Sequence, residues 1–484
     1  MLLGPTLGLW SATASPRMRA GALAGALWGA AFIGTLVTWM LELHVAAYVA
    51  LVLTQTAFFA LIGAGVAWLS PIGTVPWVLG AAGLWTIADA LRARLPLGGF
   101  EWGGLGVGLA PVGLRSAAAI VGALGLTGLV VAVAAALARL GSGADLRRGL
   151  RTLAAALAAL ALTALLGALP WTSVAGEVDV AIVQTDDPCP GEFSVDCPNV
   201  RERTQDGLIA EGDNLSLTPD LLVWGEGTLR GDDPDDAGRL LLERVGDLEA
   251  PLLAGITSPV PPGLFRNRNV MFDTDGRPQA DYDKRQPVPF GEYVPWRDAL
   301  GWIGDVGRLV PSDMVRGVAA VPITLPEVVR EDGAEVTLGT VVSWEVTFAR
   351  LVRDAAREGE AVATLTTQAS YGTAPVSDQL LGAAQLRANE TGRAQIVAAT
   401  TGRSAVLHPR GDMAGPTALF AADHLETVVE LREGSTPYLW WGDAGALLLA
   451  ALALGYAVFR RFEAAQSSGL RGEPPQRILE RVGR

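Results

Sequence analysis

Three residues of this chain, Glu226, Lys284 and Ser343, have the types and the order that nucleophilic acyl transfer requires. Each follows an apolar run that predicts a strand, and reactive groups collect at the carboxyl ends of strands in layered α/β domains. A hydroxyl can attack a carbonyl and hold the acyl group covalently, while a carboxylate takes and later returns the proton. A lysine ammonium can stabilise the oxyanion that develops. The three residues therefore predict an acyl-transfer site.

Two further carboxylates, Glu292 and Glu345, lie close to these residues in the sequence and are expected at the same pocket. Carboxylates that are buried or that crowd one another have raised pKa values, which suits a general base. The alternative is that both carboxylates only orient the backbone or Lys284. The sequence leaves these two roles open.

The segment from about residue 176 to 433 has the composition of a soluble α/β domain. Short β-branched runs predict strands, helical periodicity fills the gaps between them, and Asp275-Gly276 predicts a hairpin turn. This alternation predicts a layered α/β domain. The predicted strands are 178–184, 221–224, 251–255, 269–273, 280–283, 336–342 and 361–366, and the predicted helices are 239–245, 348–358 and 379–393.

Long apolar stretches occupy the chain on both sides of this segment. Crossing a bilayer takes roughly 20 apolar residues in helix, and buried helices of a soluble protein do not account for so many such stretches in a row. The sequence predicts a membrane bundle over 1–171, an α/β domain over 172–433, a C-terminal transmembrane helix over 434–461 and a basic tail over 462–484. The predicted spans are 20–41, 46–69, 75–91, 117–140, 150–169 and 444–459.

Basic residues in the short connections predict the orientation of the bundle, because Lys and Arg favour the cytoplasmic side. With five spans before the α/β domain, three arginine clusters fall on one side and the domain falls on the other. The domain is therefore predicted to be extracytoplasmic. Arg92, Arg94 and Arg115 argue weakly against this orientation because they fall on the outer side. The three clusters are Arg17 with Arg19, Arg147 with Arg148 and Arg151, and Arg460 with Arg461.

The only two cysteines, Cys189 and Cys197, are separated by a short loop of the α/β segment. Outside the cytoplasm such a pair predicts a disulfide, and a pair of free thiols is the alternative. A metal site is disfavoured because the three histidines lie far away in the sequence.

Charge and motifs give no support for nucleic-acid or cofactor binding. The formal net charge is −13, whereas nucleic-acid binding favours basic surfaces. The sequence has no Gly-rich phosphate loop after a strand and no His/Cys cluster. We therefore predict no metal, no nucleotide cofactor and no nucleic-acid partner.

From about residue 20 to 460 the chain resembles the apolipoprotein N-acyltransferases, a bacterial family of membrane enzymes with a nitrilase-type (CN hydrolase) domain. The resemblance rests on short motifs in both the membrane and the α/β segments. These motifs are Trp85 to Arg92, Leu97 to Trp102, Tyr282-Asp-Lys284, Pro289 to Pro295, Gln379, Arg387, Glu390, Arg393, Thr401 to Ala405, Thr436-Pro-Tyr438 and Gly442-Asp443.

The resemblance implies a fold, a reaction and a set of roles. The fold would be a nitrilase-type αββα sandwich on a polytopic helical bundle in the bacterial inner membrane. The reaction would transfer an acyl chain from a phospholipid to the α-amino group of a diacylglyceryl-modified apolipoprotein cysteine. Glu226 would be the general base, Lys284 the oxyanion-stabilising cation and Ser343 the nucleophile. Glu292 and Glu345 would support them.

The chain departs from this family in four places. Ser343 stands where the family has a nucleophilic cysteine, and Gly225 stands where a proline usually precedes the base. The segment 366–372 differs from the family's Thr-Asn-Asp-Ala-Trp-Phe-Gly, and the N-terminal part is shorter by one or two helices. A cysteine thiol ionises far more readily than a serine hydroxyl, so the first departure bears most on activity.

Several functions are compatible with these observations. The chain could be a serine-dependent N-acyltransferase, or a homologue that binds lipid or lipoprotein without turnover. It could also be an engineered serine variant of an active enzyme. A nitrilase-like hydrolase of soluble amides is disfavoured by the membrane helices.

Overall fold

A computed structural model of the chain describes residues 4–6, 8–9, 17–143, 145–186, 199–300 and 310–470. Six helices in these ranges are long and apolar enough to span a membrane, five before the α/β domain and one after it. This agrees with the predicted number and order. The helices are α1 (Met18–Leu36), α2 (Val45–Trp68), α3 (Thr74–Arg92), α4 (Ala118–Gly141), α5 (Leu146–Gly167) and α10 (Ala444–Leu470).

The first helix is shorter than predicted. The span was expected to reach Leu41, but α1 ends at Leu36 and a separate short helix covers Met40–Leu43. Trp39 lies in the turn between these two helices, and only 6% of its surface is exposed. Hydropathy alone does not reveal such a break, because both pieces are apolar.

Helices α1 and α2 cross with their backbones in contact. A Cβ atom added to Gly25 would lie 2.1 Å from the carbonyl oxygen of Phe59, and one on Gly63 would lie 2.2 Å from that of Gly21. Small residues at a crossing allow membrane helices to approach closely. These glycines therefore set the distance between the first two helices of the bundle.

The α/β domain contains four helices of at least ten residues and fourteen strands within the described ranges. The helices are α6 (Val200–Gly212), α7 (Pro234–Val245), α8 (Ala349–Glu358) and α9 (Val376–Thr391). The strands are β1 (Thr172–Gln184), β2 (Leu221–Trp224), β3 (Leu229–Arg230), β4 (Leu252–Val260), β5 (Leu264–Phe272), β6 (Pro278–Asp283), β7 (Asp313–Met314), β8 (Ile323–Val329), β9 (Glu335–Val342), β10 (Ala361–Thr366), β11 (Ala394–Ala399), β12 (Ala405–Leu407), β13 (Met413–Ala414) and β14 (Asp423–Gly434).

These strands form two mixed sheets. The eight-stranded sheet has the order β14-β1-β2-β4-β5-β6, with β3 on β4 and β7 on β5, and the six-stranded sheet has the order β13-β12-β11-β10-β9-β8. Strands β1, β2 and β4 run parallel in the first sheet, and β9, β10 and β11 run parallel in the second. The parallel strands of each sheet thus end at a common edge.

Three apolar clusters show the order of the layers in the α/β domain. Between the sheets, Ile182 and Val223 of the first sheet are buried with Leu338 and Ile396 of the second. Leu241 of α7 belongs to a cluster on the outer face of the first sheet. The outer face of the second sheet is covered by α8 and α9, which share a cluster with β9, β10 and β11. The resulting order is helix, sheet, sheet, helix, which confirms the predicted αββα sandwich.

The helix layer on the second sheet also contacts the membrane bundle. Leu386 of α9 is buried in one cluster with Leu126 of α4 and Ala164 of α5. The α/β domain therefore rests on the bundle through α9, and the second sheet is the one nearer to the membrane helices.

Candidate active site

Four strand ends meet where the two sheets approach each other. The backbone N–H of Glu226 donates to the carbonyl oxygen of Thr366 at 3.2 Å, and the N–H of Thr400 donates to the same oxygen at 2.9 Å. The N–H of Thr185 donates to the carbonyl oxygen of Thr400 at 3.0 Å. The ends of β1, β2, β10 and β11 are thereby tied together, and this junction positions Glu226.

Lys284 lies between two carboxylates. Its Nζ atom is 3.1 Å from Oε1 of Glu226 and 2.6 Å from Oε1 of Glu292. Asn267 donates its side-chain amide to the same two oxygens, at 2.8 Å and 3.3 Å. Lys284 is 1% exposed and Glu226 is 8% exposed. The structure thus brings together three of the five predicted polar residues as one hydrogen-bonded group, in which Lys284 and Glu226 are buried and Glu292 is partly exposed.

The charges around Lys284 keep it protonated. Burial alone would lower the pKa of Lys284, but the carboxylates of Glu226 and Glu292 outweigh burial and raise the pKa above its ordinary value. An ammonium group has three N–H donors, and the carboxylates accept two of them. No third acceptor contacts Nζ in the part of the chain that the structure describes. One donor is therefore available for a substrate oxygen.

Ser343 directly follows β9 and opens a 3₁₀ turn, Ser343–Thr347. Its φ angle is +56°, a conformation that costs a non-glycine residue of order 1–3 kcal/mol and that is concentrated at functional sites. Its Oγ atom lies 3.3 Å from Oγ1 of Thr366. The N–H of Thr367 donates to Oε2 of Glu226 at 3.1 Å. Ser343 and Glu226 therefore both contact the end of β10.

Glu345 has a different environment from Glu292. Its two carboxylate oxygens accept hydrogen bonds from the backbone N–H groups of Val342, Arg285 and Gln286 at 2.7–2.9 Å and from the hydroxyl of Tyr282 at 2.8 Å. Burial raises the pKa of Glu345 in spite of these bonds. The geometry favours backbone orientation for Glu345, whereas Glu292 contacts Lys284 directly.

Tyr371 connects this group to the membrane bundle. Burial, followed by the charge of Glu226, raises the pKa of Tyr371 to about 12. Its ring also packs edge-on against Trp39, with 5.3 Å between the ring centroids. Tyr371 belongs to the segment 366–372, which differs from the motif of the family that the sequence resembles. The loop therefore lies between the polar group and the turn that follows α1.

Two motifs of the resemblance join the domain to the bundle. The side chain of Gln379 accepts hydrogen bonds from Trp39 at 3.2 Å and from Trp102 at 2.7 Å. Arg92 donates to the carbonyl oxygens of Phe100 and Trp102 at 3.0 Å and 2.7 Å. Arg92, which weighed against the predicted orientation, thus holds the loop that contacts α9.

A second set of buried charges lies at the same junction. Arg387 pairs with Glu390 at 2.7 Å, and Glu390 accepts a hydrogen bond from the backbone N–H of Ala123. Glu101 accepts a hydrogen bond from the N–H of Ala349 at 3.2 Å. Burial is the largest effect on both carboxylates and raises the pKa of each to about 7.

The sequence predicted Glu226, Lys284 and Ser343 directly after strands and Glu292 and Glu345 near the same pocket, and the structure brings these residues to one region, but the prediction missed Asn267 and Tyr371. Alternation along β5 could have suggested an inward-facing polar residue at Asn267, whereas Tyr371 left no such signal. Cys189 and Cys197 lie outside the described residues, so their disulfide stays a prediction. Within the ranges that the structure covers, no group of His, Cys, Asp and Glu residues could hold a metal ion.

Comparison with known proteins shows which proteins the chain is similar to. Residues 1–136 match the family model described as the apolipoprotein N-acyltransferase N-terminal domain. An apolipoprotein N-acyltransferase of Chromobacterium violaceum is 28% identical over 423 residues, covering 84% of this chain and 79% of the relative. One from Nitrosomonas europaea is 27% identical over 467 residues, covering 92% and 89%. This chain is a homologue of the apolipoprotein N-acyltransferases.

Among solved structures, a cysteine-to-serine mutant of a nitrilase-superfamily amidase from Nesterenkonia AN1 is similar to part of this homologue. It is 22% identical, has a TM-score of 0.38 and covers 55% of this chain and 95% of the amidase chain.

Gly225, where the resemblance predicts a proline, fits closely among its neighbours. A Cβ atom at position 225 would lie 2.4 Å from both the backbone N and Oγ1 of Thr400, and 2.8 Å from the carbonyl oxygen of Thr366. Oγ1 of Thr400 in turn donates to the carbonyl oxygen of Glu226 at 3.0 Å. A glycine at position 225 therefore leaves room for the contacts that hold the backbone of Glu226.

Proposed function

We propose that this protein transfers an acyl chain from a phospholipid to the α-amino group of a diacylglyceryl-cysteine lipoprotein, through an ester on Ser343. The observation that carries the proposal is the buried Lys284, which is held between Glu226 and Glu292, because Glu226 contacts the same strand end, that of β10, as Ser343 does. The homologues named apolipoprotein N-acyltransferase supply the substrate classes.

In the first step, Oγ of Ser343 attacks the ester carbonyl of the phospholipid while Glu226 accepts the hydroxyl proton. The free N–H donor of Lys284 stabilises the oxyanion. The intermediate collapses by breaking the bond to the glycerol oxygen, which takes the proton back from Glu226. A lysophospholipid leaves, and the acyl chain stays on Ser343 as an ester.

In the second step, the lipoprotein amine attacks the ester carbonyl on Ser343 and transfers a proton to Glu226. Lys284 again stabilises the oxyanion. The bond between the carbonyl carbon and Oγ breaks, Oγ takes the proton from Glu226, and an amide is released. Ser343, Glu226 and Lys284 thus serve both steps, and the reaction balances without a cofactor.

Both substrates are lipids, which fits a site at the junction of the domain and the bundle. The contact between Tyr371 and Trp39 supports an approach from the membrane side. We place the bundle in the bacterial inner membrane and the α/β domain on its extracytoplasmic side, because the arginine clusters favour that orientation.

The proposal is tested by mixing the purified full-length protein with a phospholipid labelled in its acyl chain and with a diacylated lipopeptide. Labelled lipopeptide is expected, and Ser343→Ala is expected to lower its rate by about 10³-fold or more. Ser343→Cys is expected to raise the rate, because a thiol ionises more readily at neutral pH.

A binder without turnover is the competing function. It would give no labelled lipopeptide with the wild type at any enzyme concentration, while still retaining the phospholipid. Activity that is equal in the wild type and Ser343→Ala would reject Ser343 as the acyl carrier.

A further inference from the structure

A cavity opens beside the candidate active site, between the membrane bundle and the α/β domain. Its volume is about 370 Å³. Four of its lining residues are arginines, each contributed by a separate segment: Arg94 after α3, Arg285 after Lys284, Arg316 before β8 and Arg350 at the start of α8. Positive charge from distant parts of the chain therefore converges on one space.

The charge of this arginine cavity is only partly compensated. Arg285 pairs with Asp354 at 3.0 Å, and Arg94 lies 3.7 Å from Asp443. Arg350 donates to the neutral Gln286 side chain at 2.8 Å. Among the residues that the structure describes, neither Arg350 nor Arg316 has a carboxylate within 4 Å. The described residues that line the cavity thus include four arginines and no carboxylate.

Backbone contacts link the cavity to the catalytic lysine. The N–H of Gly317, which lines the cavity, donates to the carbonyl oxygen of Lys284 at 2.8 Å. Gln286, another lining residue, is 3% exposed, and its amide nitrogen has no hydrogen-bond partner in the described residues. A ligand in the cavity would therefore contact residues that lie one and two positions after Lys284 in the sequence.

Exposed apolar residues stand beside these charges. Val318 lines the cavity and is 98% exposed, and Leu95, next to Arg94, is 54% exposed. A cationic cavity with an apolar rim suits a ligand that combines an anionic group with hydrocarbon. Arginine in particular binds phosphate oxygens through paired N–H donors.

We propose that the arginine cavity binds the phosphodiester of the glycerophospholipid acyl donor and so positions the donor's ester for the site at Lys284. The proposal rests on the proposed function for the identity of the lipid. It names Arg316 and Arg350 as the residues whose unpaired charge meets the phosphate. Their role is to position the donor, because neither residue contacts the reacting atoms.

A binding measurement tests this proposal independently of catalysis. The probes are a short-chain phosphatidylglycerol, the diacylglycerol of the same chain length and inorganic phosphate. Each is titrated into the full chain carrying Ser343→Ala, in an uncharged detergent, with calorimetric detection. We expect the phosphatidylglycerol to bind, and Arg316→Ala with Arg350→Ala to weaken its binding about 10- to 100-fold, because the phosphate loses charged hydrogen-bond donors. Diacylglycerol should bind more weakly and be indifferent to the two substitutions.

Arg277→Ala is the matched control, because it removes an arginine from an exposed hairpin turn where Arg277 pairs with Asp275. It should leave phosphatidylglycerol binding unchanged. Equal binding in the double variant and the control would overturn the proposal. Binding of inorganic phosphate without binding of the lipid would overturn the lipid assignment. A protein that binds the lipid through these arginines yet never transfers its acyl group would contradict the proposed function but not this binding site.

Discussion

At the scale of single residues, the site depends on the balance of charge around Lys284. The buried Lys284 ammonium contacts the buried carboxylate of Glu226 and the partly exposed carboxylate of Glu292, and Asn267 bridges the two carboxylates. Burying a charge is costly unless it is paired and hydrogen-bonded. Removing the lysine would leave Glu226 and Glu292 facing each other without a counter-ion.

Lys284→Met should therefore lower both activity and stability. Loss of an oxyanion donor is expected to reduce the transfer rate by about 10²–10³-fold, and breaking the buried pair should cost about 3–5 kcal/mol of unfolding free energy. The loss of stability should shrink on acidification, because protonation removes the repulsion between the carboxylates. Unfolding midpoints in detergent at pH 5 and pH 8 measure this.

The double variant Glu226→Gln with Lys284→Met is the control, since it removes one carboxylate along with the lysine. It should regain part of the stability but none of the activity. An unchanged unfolding midpoint in Lys284→Met would show that the buried pair is not formed.

Glu345→Gln tests whether Glu345 orients the backbone. A glutamine amide has one acceptor oxygen, so at least one of the N–H groups of Val342, Arg285 and Gln286 or the Tyr282 hydroxyl would lose its acceptor. Each unsatisfied group costs about 1–3 kcal/mol. We expect lower stability and lower activity with an unchanged pH profile of the transfer rate, and no effect from Glu358→Gln on the exposed end of α8. A shifted acid limb would instead assign proton transfer to Glu345.

At the scale of elements, the junction of strand ends fixes the position of Glu226. Gly225 lies at this junction, and its space is filled by Thr400 and the carbonyl of Thr366. Two of the three close atoms belong to the backbone, so they cannot move aside as a flexible side chain would.

Gly225→Ala should displace the loop that carries Glu226. Overpacking of this kind costs about 1–3 kcal/mol, and the transfer rate should fall because the base moves relative to Ser343. Gly212→Ala at the end of α6 is the matched control, since nothing lies within 4 Å of the added Cβ atom there. Equal activity of the two variants, both assayed for labelled lipopeptide, would contradict the importance of this junction.

The same elements show how far sequence alone could lead. Strands β2 and β10 were predicted with their observed bounds because each is a short, largely apolar run bounded by polar or turn-forming residues. Strand β14 was missed, and β1 was predicted to begin at Val178 rather than Thr172. Their pairing, Thr172 with Gly434 through Gln184 with Asp423, joins the two ends of the domain. A local pattern does not report such a distant partner.

The sequence predicted the types of the residues at the site, but it did not predict their side-chain contacts. The order of Glu226, Lys284 and Ser343 and their strand-end positions indicated one pocket. The bridging role of Asn267 and the contact of Tyr371 with Trp39 depend on side chains from elements far apart in sequence, so they emerged only from the fold.

At the scale of the whole molecule, buried charges connect the two halves. Arg387 and Glu390 of α9 lie against α4, and Glu101 of the loop after α3 lies against α8. The pKa values of Glu101 and Glu390 are raised to about 7. A raised carboxyl pKa stabilises the fold below the unfolded value of 4.5, and this contribution is lost as the pH rises through the folded value.

The unfolding midpoint of the wild type should therefore fall between about pH 5 and pH 8. Glu390→Gln should flatten this dependence, because glutamine mimics the protonated carboxyl at every pH. The expected change attributable to Glu390 is roughly 3 kcal/mol over the window, from about 1.36 kcal/mol per pKa unit. Thermal unfolding in detergent across this range is the measurement, and an equal slope in both proteins would show that Glu390 does not titrate there.

The central claim is that Ser343 carries the acyl group. Its most direct test is mass spectrometry of the peptide containing Ser343, after the full-length protein is incubated with phospholipid and no lipopeptide. We predict a mass increase equal to one acyl chain, located on Ser343, absent from Ser343→Ala and removed when the diacylated lipopeptide is added. An unmodified Ser343 in a preparation that forms labelled lipopeptide would contradict the claim.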